Sequence, residues 1–306
     1  MARLSTSLPV AARWPHRVGN TLWSYVQLTK PRVIELLLVT TLPAMVLAQG
    51  AFPPLALVVQ VLVGGALAAG GANTINCWIE RDRDQVMRRT ARRPLPSGTI
   101  APERAFVFGL VLEAAAFALL WSTVNLLSAG LAVGAMLFYV FVYTIWLKPR
   151  STQNIVIGGA AGAVPALVGW AAVTGDLAAA AWVMFAIVFF WTPPHFWALA
   201  LRYRDDYAAA GIPMLPVVKG ERTTAREILV YSVVVLATSL VLPFVSDVGA
   251  IYVVSAIVLG IAFVVQAARL RRSIDSQRAI RFFTFSNTYL ALLFAAIAVD
   301  TLVRAA

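Results

Sequence analysis

The chain has 306 residues, 60% of them hydrophobic and only 13% charged, with a formal net charge of +11. Soluble globular chains are roughly 45–50% apolar and about 25% charged, so this composition excludes a water-soluble domain, as does the mean hydropathy of +0.79. Disorder is excluded as well, because it requires low hydrophobicity; a polytopic membrane protein remains.

Residues 1–30 carry Arg3, Arg13 and Arg17 and no acid. They lack the apolar core of a secretory signal and read as a retained cytoplasmic tail, although a transit peptide shares their charge bias. A bilayer-crossing helix needs about 20 mostly apolar residues. Nine such runs follow, near 33–49, 55–79, 105–122, 126–147, 155–174, 180–201, 226–246, 249–268 and 283–303. This predicts an all-α, nine-helix bundle forming one domain over 31–306.

At the first span, Glu35 lies within one turn of Lys30 and Arg32, which predicts local charge compensation. In the second span the run G-G-A-L-A-A-G-G-A (64–72) is a small-residue packing face. Cys77, the only cysteine, excludes an intrachain disulfide and any multi-cysteine metal site. Glu113 stands near the middle of the third span with no sequence-local partner, predicting neutral burial against a neighbouring helix.

Basic residues set the sidedness. Segments before span 1 and after spans 2, 4, 6 and 8 hold 24 Lys and Arg, and the other side only Arg304. The positive-inside rule then places the amino terminus and these loops in the cytoplasm and the carboxyl terminus outside. The charge excess therefore fits an anionic leaflet and not nucleic acid.

The end of span 2 reads Asn73-Thr-Ile-Asn76-Cys77-Trp78-Ile79-Glu80-Arg81-Asp82-Arg83-Asp84. If the helix continues, Asn76, Glu80 and Asp84 are spaced i, i+4, i+8 and their oxygens line one face. Oxygen ligands so arranged suit Mg²⁺, which is commonly held by one or two carboxylates plus substrate phosphates. Arg88, Arg89, Arg92 and Arg93 follow at once, and guanidinium forks match phosphate oxygens. A loop serving only as a topology signal has no need of acids at helical spacing. The combination therefore predicts a diphosphate ester site.

Further along, Lys148, Arg150 and Asn154 close the cytoplasmic end of spans 4 and 5. His195 follows Pro193-Pro194, and its imidazole could ligate a metal or bond a backbone carbonyl freed by the prolines; spacing leaves both open. The next loop holds Tyr203, Asp205, Asp206 and Tyr207, a rigid turn at Gly211-Ile-Pro213-Met-Leu-Pro216, and Lys219.

N-C-W-I-E-R-D-R-D-Q-V-M-R-R-T-A-R-R-P-L-P-S-G resembles the first signature of the UbiA-type intramembrane prenyltransferases: an Asn, acids four and eight residues on, then R-T-x-x-R-P. The resemblance extends over roughly residues 25–300 and is strongest to the branch that farnesylates haem. It includes L-T-K-P-R-V (28–33), Y-T-I-W-L-K (143–148), Q-N-I-V-I-G-G-A-A-G-A (153–163), T-P-P-H-F-W-A-L-A (192–200) and D-D-Y-A-A-A-G-I-P-M-L-P-V-V-K-G (205–220). Glu80 departs from the commoner Asp. In the second motif two Asp four apart are replaced by Tyr203 and Tyr207, with Asp205 and Asp206 between them.

The resemblance implies a cavity opening at the cytoplasmic side of the plasma (inner) membrane. It implies farnesyl diphosphate as donor, a vinyl group of protohaem IX as acceptor, pyrophosphate as leaving group, and a haem-modifying enzyme downstream. Magnesium would sit on Asn76, Glu80 and Asp84, with Asp206 as a further ligand or as a brace for the arginines. Arg89, Arg93 and Lys148 would stabilise the departing pyrophosphate. Lys30, Arg32, Asn154, Tyr203, Asp205, Tyr207 and Lys219 would contact substrate, and His195 would bind haem iron. Trp170, Phe196 and Trp197 are candidate walls for the allylic cation. The rival readings are a prenyltransferase acting on an aromatic acid such as 4-hydroxybenzoate or homogentisate, and a lipid-diphosphate transporter, which would show an inverted repeat.

Overall fold

The structure, a computed structural model, describes residues 18–306, with the side chains of 18–20, 33 and 36–38 excepted. Arg3, Arg13 and Arg17 thus lie outside the described residues. The chain runs through α1 (Val18–Thr29), α2 (Pro31–Gln49), α3 (Leu55–Val86), α4 (Pro102–Thr123) and α5 (Leu126–Leu137), which continues as a π-helix (Phe138–Leu147). Then come α6 (Asn154–Thr174), α7 (Ala179–Arg202), the short α8 (Arg204–Ala209) and α9 (Leu215–Val218), α10 (Gly220–Ser239), α11 (Ala250–Arg272) and α12 (Ser276–Ala305). No strand occurs among the described residues.

Eight helices among the described residues are long and apolar enough to cross a bilayer: α3, α4, α5 with its π-helical extension, α6, α7, α10, α11 and α12. The run expected to cross first, 33–49, is helical as α2. The start of α2 carries the exposed Arg32 and Glu35. Among the described residues Glu35 makes no ion pair, and Lys30 turns to Asn76 instead, so the expected compensation between them is not what forms.

Residues 18–29, read from the sequence as tail, are also helical. Leu28 of α1 is fully buried, and Tyr25 meets Phe108 of α4 edge-on at 4.9 Å. Leu22, Trp23 and Val26 face outward, an apolar flank suited to a membrane interface.

α2, α6, α7 and α12 pack in a closed ring, each on two of the others, flanked by α3, α4 and α5 on one side and by α10 and α11 on the other. Outer faces stay apolar: Val107, Leu110 and Val111 on α4, and Val254, Ile257, Val258 and Ile261 on α11. Helices satisfy their own backbone polar groups, so such faces can meet lipid. The small-residue run on α3 lets α4 approach closely. A Cβ on Gly71 would stand 2.8 Å from the Glu113 side chain, which lies buried against α3 as its lack of a local partner predicted.

Consecutive helices are antiparallel, so Lys30 and the loops 87–101, 148–153, 203–219 and 273–275 fall at one end. α3 is 32 residues long. At 1.5 Å per residue that is about 48 Å, well beyond a hydrocarbon core of about 30 Å, and its last turns are carried out to the headgroup level.

Candidate active site

Because α3 is unbroken to Val86, Asn76, Glu80 and Asp84 do share one face, and all three are buried, with 1%, 4% and 4% exposed. Each meets a cation or a polar partner from elsewhere in the chain. Lys30 Nζ donates to Asn76 Oδ1 at 2.7 Å. Lys148 Nζ lies 2.5 Å from Glu80 Oε1 and donates to Oε2 at 2.7 Å. Arg93 Nη1 donates to Asp84 Oδ2 at 2.7 Å.

Three local devices aim these cations. Lys30 separates α1 from α2 in the left-handed region (φ 54, ψ 64), the one non-glycine residue there among those described. Such a conformation costs about 1–3 kcal/mol and is kept where surroundings impose it; here it turns the side chain onto α3. The π-helix bonds i to i+5, seen in Lys148 N–H to Tyr143 O at 2.8 Å. Its wider turn presents Thr144, which accepts from Asn76 Nδ2 at 3.0 Å, and Lys148 to the same face of α3. Arg93 sits in a tight loop in which Thr90 Oγ1 donates to Asp84 O at 2.9 Å.

Burial depresses the Lys30 ammonium below the usual lysine range. Burial acts the same way on Lys148, but the Glu80 carboxylate outweighs it and raises the group above that range. For Arg93, burial is likewise overcome by Asp84, which strengthens its hold on the proton. Lys148 and Arg93 are therefore fixed positive charges.

The other sequence-predicted residues are placed unequally. Arg89 and Asp206 join the two loops: the Arg89 backbone N–H donates to Asp206 Oδ2 at 3.2 Å, and its guanidinium lies 5.4 Å from the Tyr203 ring. Tyr207 is buried, whereas Arg32, Asp205 and Lys219 are exposed. Asn154 is fully buried beneath Lys148, donating to its carbonyl at 3.4 Å, with Oδ1 left without a partner. Trp197 is buried edge-on against Tyr231, Trp170 is half-buried, and Phe196 is 36% exposed, the most open of the three candidate walls.

α7 runs unbroken through Pro193 and Pro194, so His195 does not bond a carbonyl freed by a helix break. Its Nδ1 pairs with Ser286 Oγ of α12 at 2.7 Å. Two aromatic residues to which the sequence assigned no role also stand in the site: Tyr139 and Tyr143, the latter opening the Y-T-I-W-L-K stretch, stack at 5.4 Å on the π-helix, and Lys148 Nζ lies 5.7 Å from the Tyr143 ring. Their i, i+4 spacing was visible in the sequence, but nothing there distinguished them from ordinary membrane aromatics.

Among the described residues no group of three or more His, Cys, Asp and Glu converges, and Asp206 is held by Arg89 and not gathered with Glu80 and Asp84. The donor set nonetheless suits Mg²⁺. It offers two carboxylates and an amide, all hard oxygens, and Glu80 Oε1 is buried without a well-formed hydrogen bond. One or two carboxylates completed by phosphate oxygens and water is the usual magnesium arrangement. The cations sharing this face suit the phosphates themselves.

Residues 37–294 match the model of the UbiA prenyltransferase family. A curated protoheme IX farnesyltransferase of Salinispora tropica is 54% identical over 284 residues, covering 92% of this chain and 89% of that protein. One from Mycobacterium avium is 52% identical over 291 residues, covering 94% of each. Among solved structures, a digeranylgeranylglyceryl phosphate synthase superposes with TM-score 0.75 at 17% identity over 92% of this chain and 99% of that one. A UbiA homologue from Archaeoglobus fulgidus bound to DMAPP and Mg²⁺ gives TM-score 0.64 at 18% identity, covering 90% and 99%.

Proposed function

The chain belongs to the UbiA prenyltransferase family, and on that footing we propose that it transfers a farnesyl group from farnesyl diphosphate to a vinyl group of protohaem IX, giving haem O and pyrophosphate. The names of relatives at 52–54% identity support the substrates. The observation that carries the chemistry is the pairing of ladder and cations on one face. Lys148 and Arg93 balance Glu80 and Asp84, and Lys30 in its protonated form brings the set to one net positive charge. A trianionic diphosphate ester with one Mg²⁺ carries one net negative charge, so the site and its load are electrically complementary.

Glu80, Asp84 and Asn76 would hold the metal through their oxygens, and the ion when bound would offset charge growing on the leaving pyrophosphate. As the ester enters, Lys148 and Arg93 turn from carboxylate to phosphate oxygens, exchanging one anionic partner for another. Ionisation breaks the bond between C1 and the bridging oxygen, and the electron pair leaves with pyrophosphate. Placing fixed cations where that charge develops is commonly the largest catalytic effect. The allylic cation left behind needs walls that exclude water until the vinyl carbon attacks. The Tyr139–Tyr143 pair, beside Lys148 and facing the site, is placed for this better than the exposed Phe196. Vinyl attack leaves the positive charge on the adduct, where water adds its oxygen and releases a proton, giving the hydroxyethylfarnesyl substituent.

Orientation follows from the basic loops: the amino terminus and the site face the cytoplasm, in the inner membrane, and the carboxyl terminus lies outside. Arg89, Asp206, Tyr203 and Tyr207 close the mouth between the two loops, with Asp206 bracing Arg89 and not ligating a second metal. His195 is assigned to the acceptor. The test is pyrophosphate release from farnesyl diphosphate by membranes containing the chain. Release that requires protohaem, with appearance of a more hydrophobic haem, supports the reading. Release that instead requires 4-hydroxybenzoate, or no release at all, overturns it in favour of an aromatic prenyltransferase or a transporter.

A further inference from the structure

A hydroxyl group carries one hydrogen. Ser286 Oγ lies 2.6 Å from the backbone oxygen of Phe283, which can only accept, so the serine hydrogen is committed there. The same Oγ lies 2.7 Å from His195 Nδ1 and must therefore accept from it. Nδ1 carries the imidazole hydrogen, and in a neutral ring Nε2 is left with its lone pair. Nothing among the described residues hydrogen-bonds Nε2.

The ring is also fixed in orientation. Trp191 stacks on it at 4.3 Å, Phe283 stacks on it at 4.4 Å, and Phe196 meets it at right angles at 5.1 Å, so the ring is held against turning. The Trp191 indole N–H donates to the Ser286 backbone oxygen at 2.9 Å, tying α7 and α12 together at the same residue. A ring nitrogen that donates to an oxygen while the other keeps its lone pair is how proteins prepare histidine to bind a metal.

Resting on the haem-acceptor reading above, we propose that Ser286 is a positioning residue that locks His195 in the Nδ1–H tautomer and so presents Nε2 to the iron of the acceptor porphyrin. Phe283 O accepts the serine hydrogen and thereby decides the tautomer.

The experiment compares binding of ferric protohaem and of metal-free protoporphyrin IX to the purified full chain and to Ser286→Ala, Ser286→Thr and His195→Ala. The wild type is expected to prefer protohaem and to give the absorption spectrum of histidine-ligated iron. Ser286→Ala should lose on the order of tenfold in that preference, with a shifted spectrum, a raised KM for haem and little change in protoporphyrin affinity. Ser286→Thr, which keeps the hydroxyl, should restore the wild-type spectrum. Equal weakening of both porphyrins by Ser286→Ala would reduce the serine to a structural tie between helices and overturn the proposal, as would an unaltered spectrum. Should Ser286→Ala not fold, Ser286→Cys, a similar size with a weaker acceptor, carries the same comparison. A wild type that binds haem through histidine yet releases no pyrophosphate sinks the transfer reading and leaves the tautomer lock standing. An active enzyme whose Ser286→Ala spectrum matches wild type sinks the lock alone.

Discussion

Lys148 and Glu80 stand 68 positions apart in the chain, yet the lysine ammonium reaches both oxygens of the glutamate, at 2.5 and 2.7 Å, with only 14% and 4% of the two side chains exposed. Removing one partner of a buried pair leaves the other charge uncompensated, at a cost of about 3–5 kcal/mol. Lys148→Met should therefore lower the melting temperature sharply. Adding Glu80→Gln should recover most of that loss and none of the turnover. A double variant as unstable as the single one would show that packing, not charge, sets the cost.

Asp84→Asn keeps the shape of the side chain and its oxygen toward Arg93 while removing the negative charge. Pyrophosphate release should fall by about 10²–10³, the scale of losing one group that stabilises developing charge. Yield and size-exclusion profile should stay those of the wild type. Wild-type turnover in this variant would remove the metal ladder.

Chelation of divalent metal should abolish pyrophosphate release, and added Mg²⁺ should restore it. Thermal stability without substrate should not change, because Glu80, Asp84 and Asn76 are already partnered by Lys148, Arg93 and Lys30. A marked fall in melting temperature on chelation would mean that the metal is structural.

Gly158 of α6 faces the Tyr143 ring so closely that an added Cβ would collide with it. Gly158→Ala should cost about 1–3 kcal/mol by overpacking and displace the ring beside Lys148, lowering kcat more than it raises the KM for haem. Combining it with Tyr143→Ala should recover the stability but not kcat. Recovery of kcat as well would dismiss the tyrosine from the site.

Some of this was readable in the residues themselves. The i, i+4, i+8 spacing of Asn76, Glu80 and Asp84 is a local property, set by the 3.6-residue turn once the helix continues, and α3 does continue to Val86. Glu113, with no partner near in sequence, is buried against Gly71 of α3 as its isolation implied. α1 was missed although Leu22, Tyr25 and Leu28 recur at helical spacing, because a short, sparse apolar pattern was outweighed by the basic tail around it. The π-helix was missed for a different reason: α and π segments use the same residues and differ only in which carbonyl each N–H finds.

The sequence alone determined that this is a membrane chain, roughly where its helices lie, and that oxygen ligands and arginines adjoin at one helix end. Each of these rests on composition or on neighbours a few residues apart. Only the tertiary structure decided that Lys30, Lys148 and Arg93 each hold one rung of the ladder, that Asp206 serves Arg89, and that Ser286 meets His195. Those pairings join separate helices, and a charge or a hydroxyl carries no record of its partner until packing brings the two within reach.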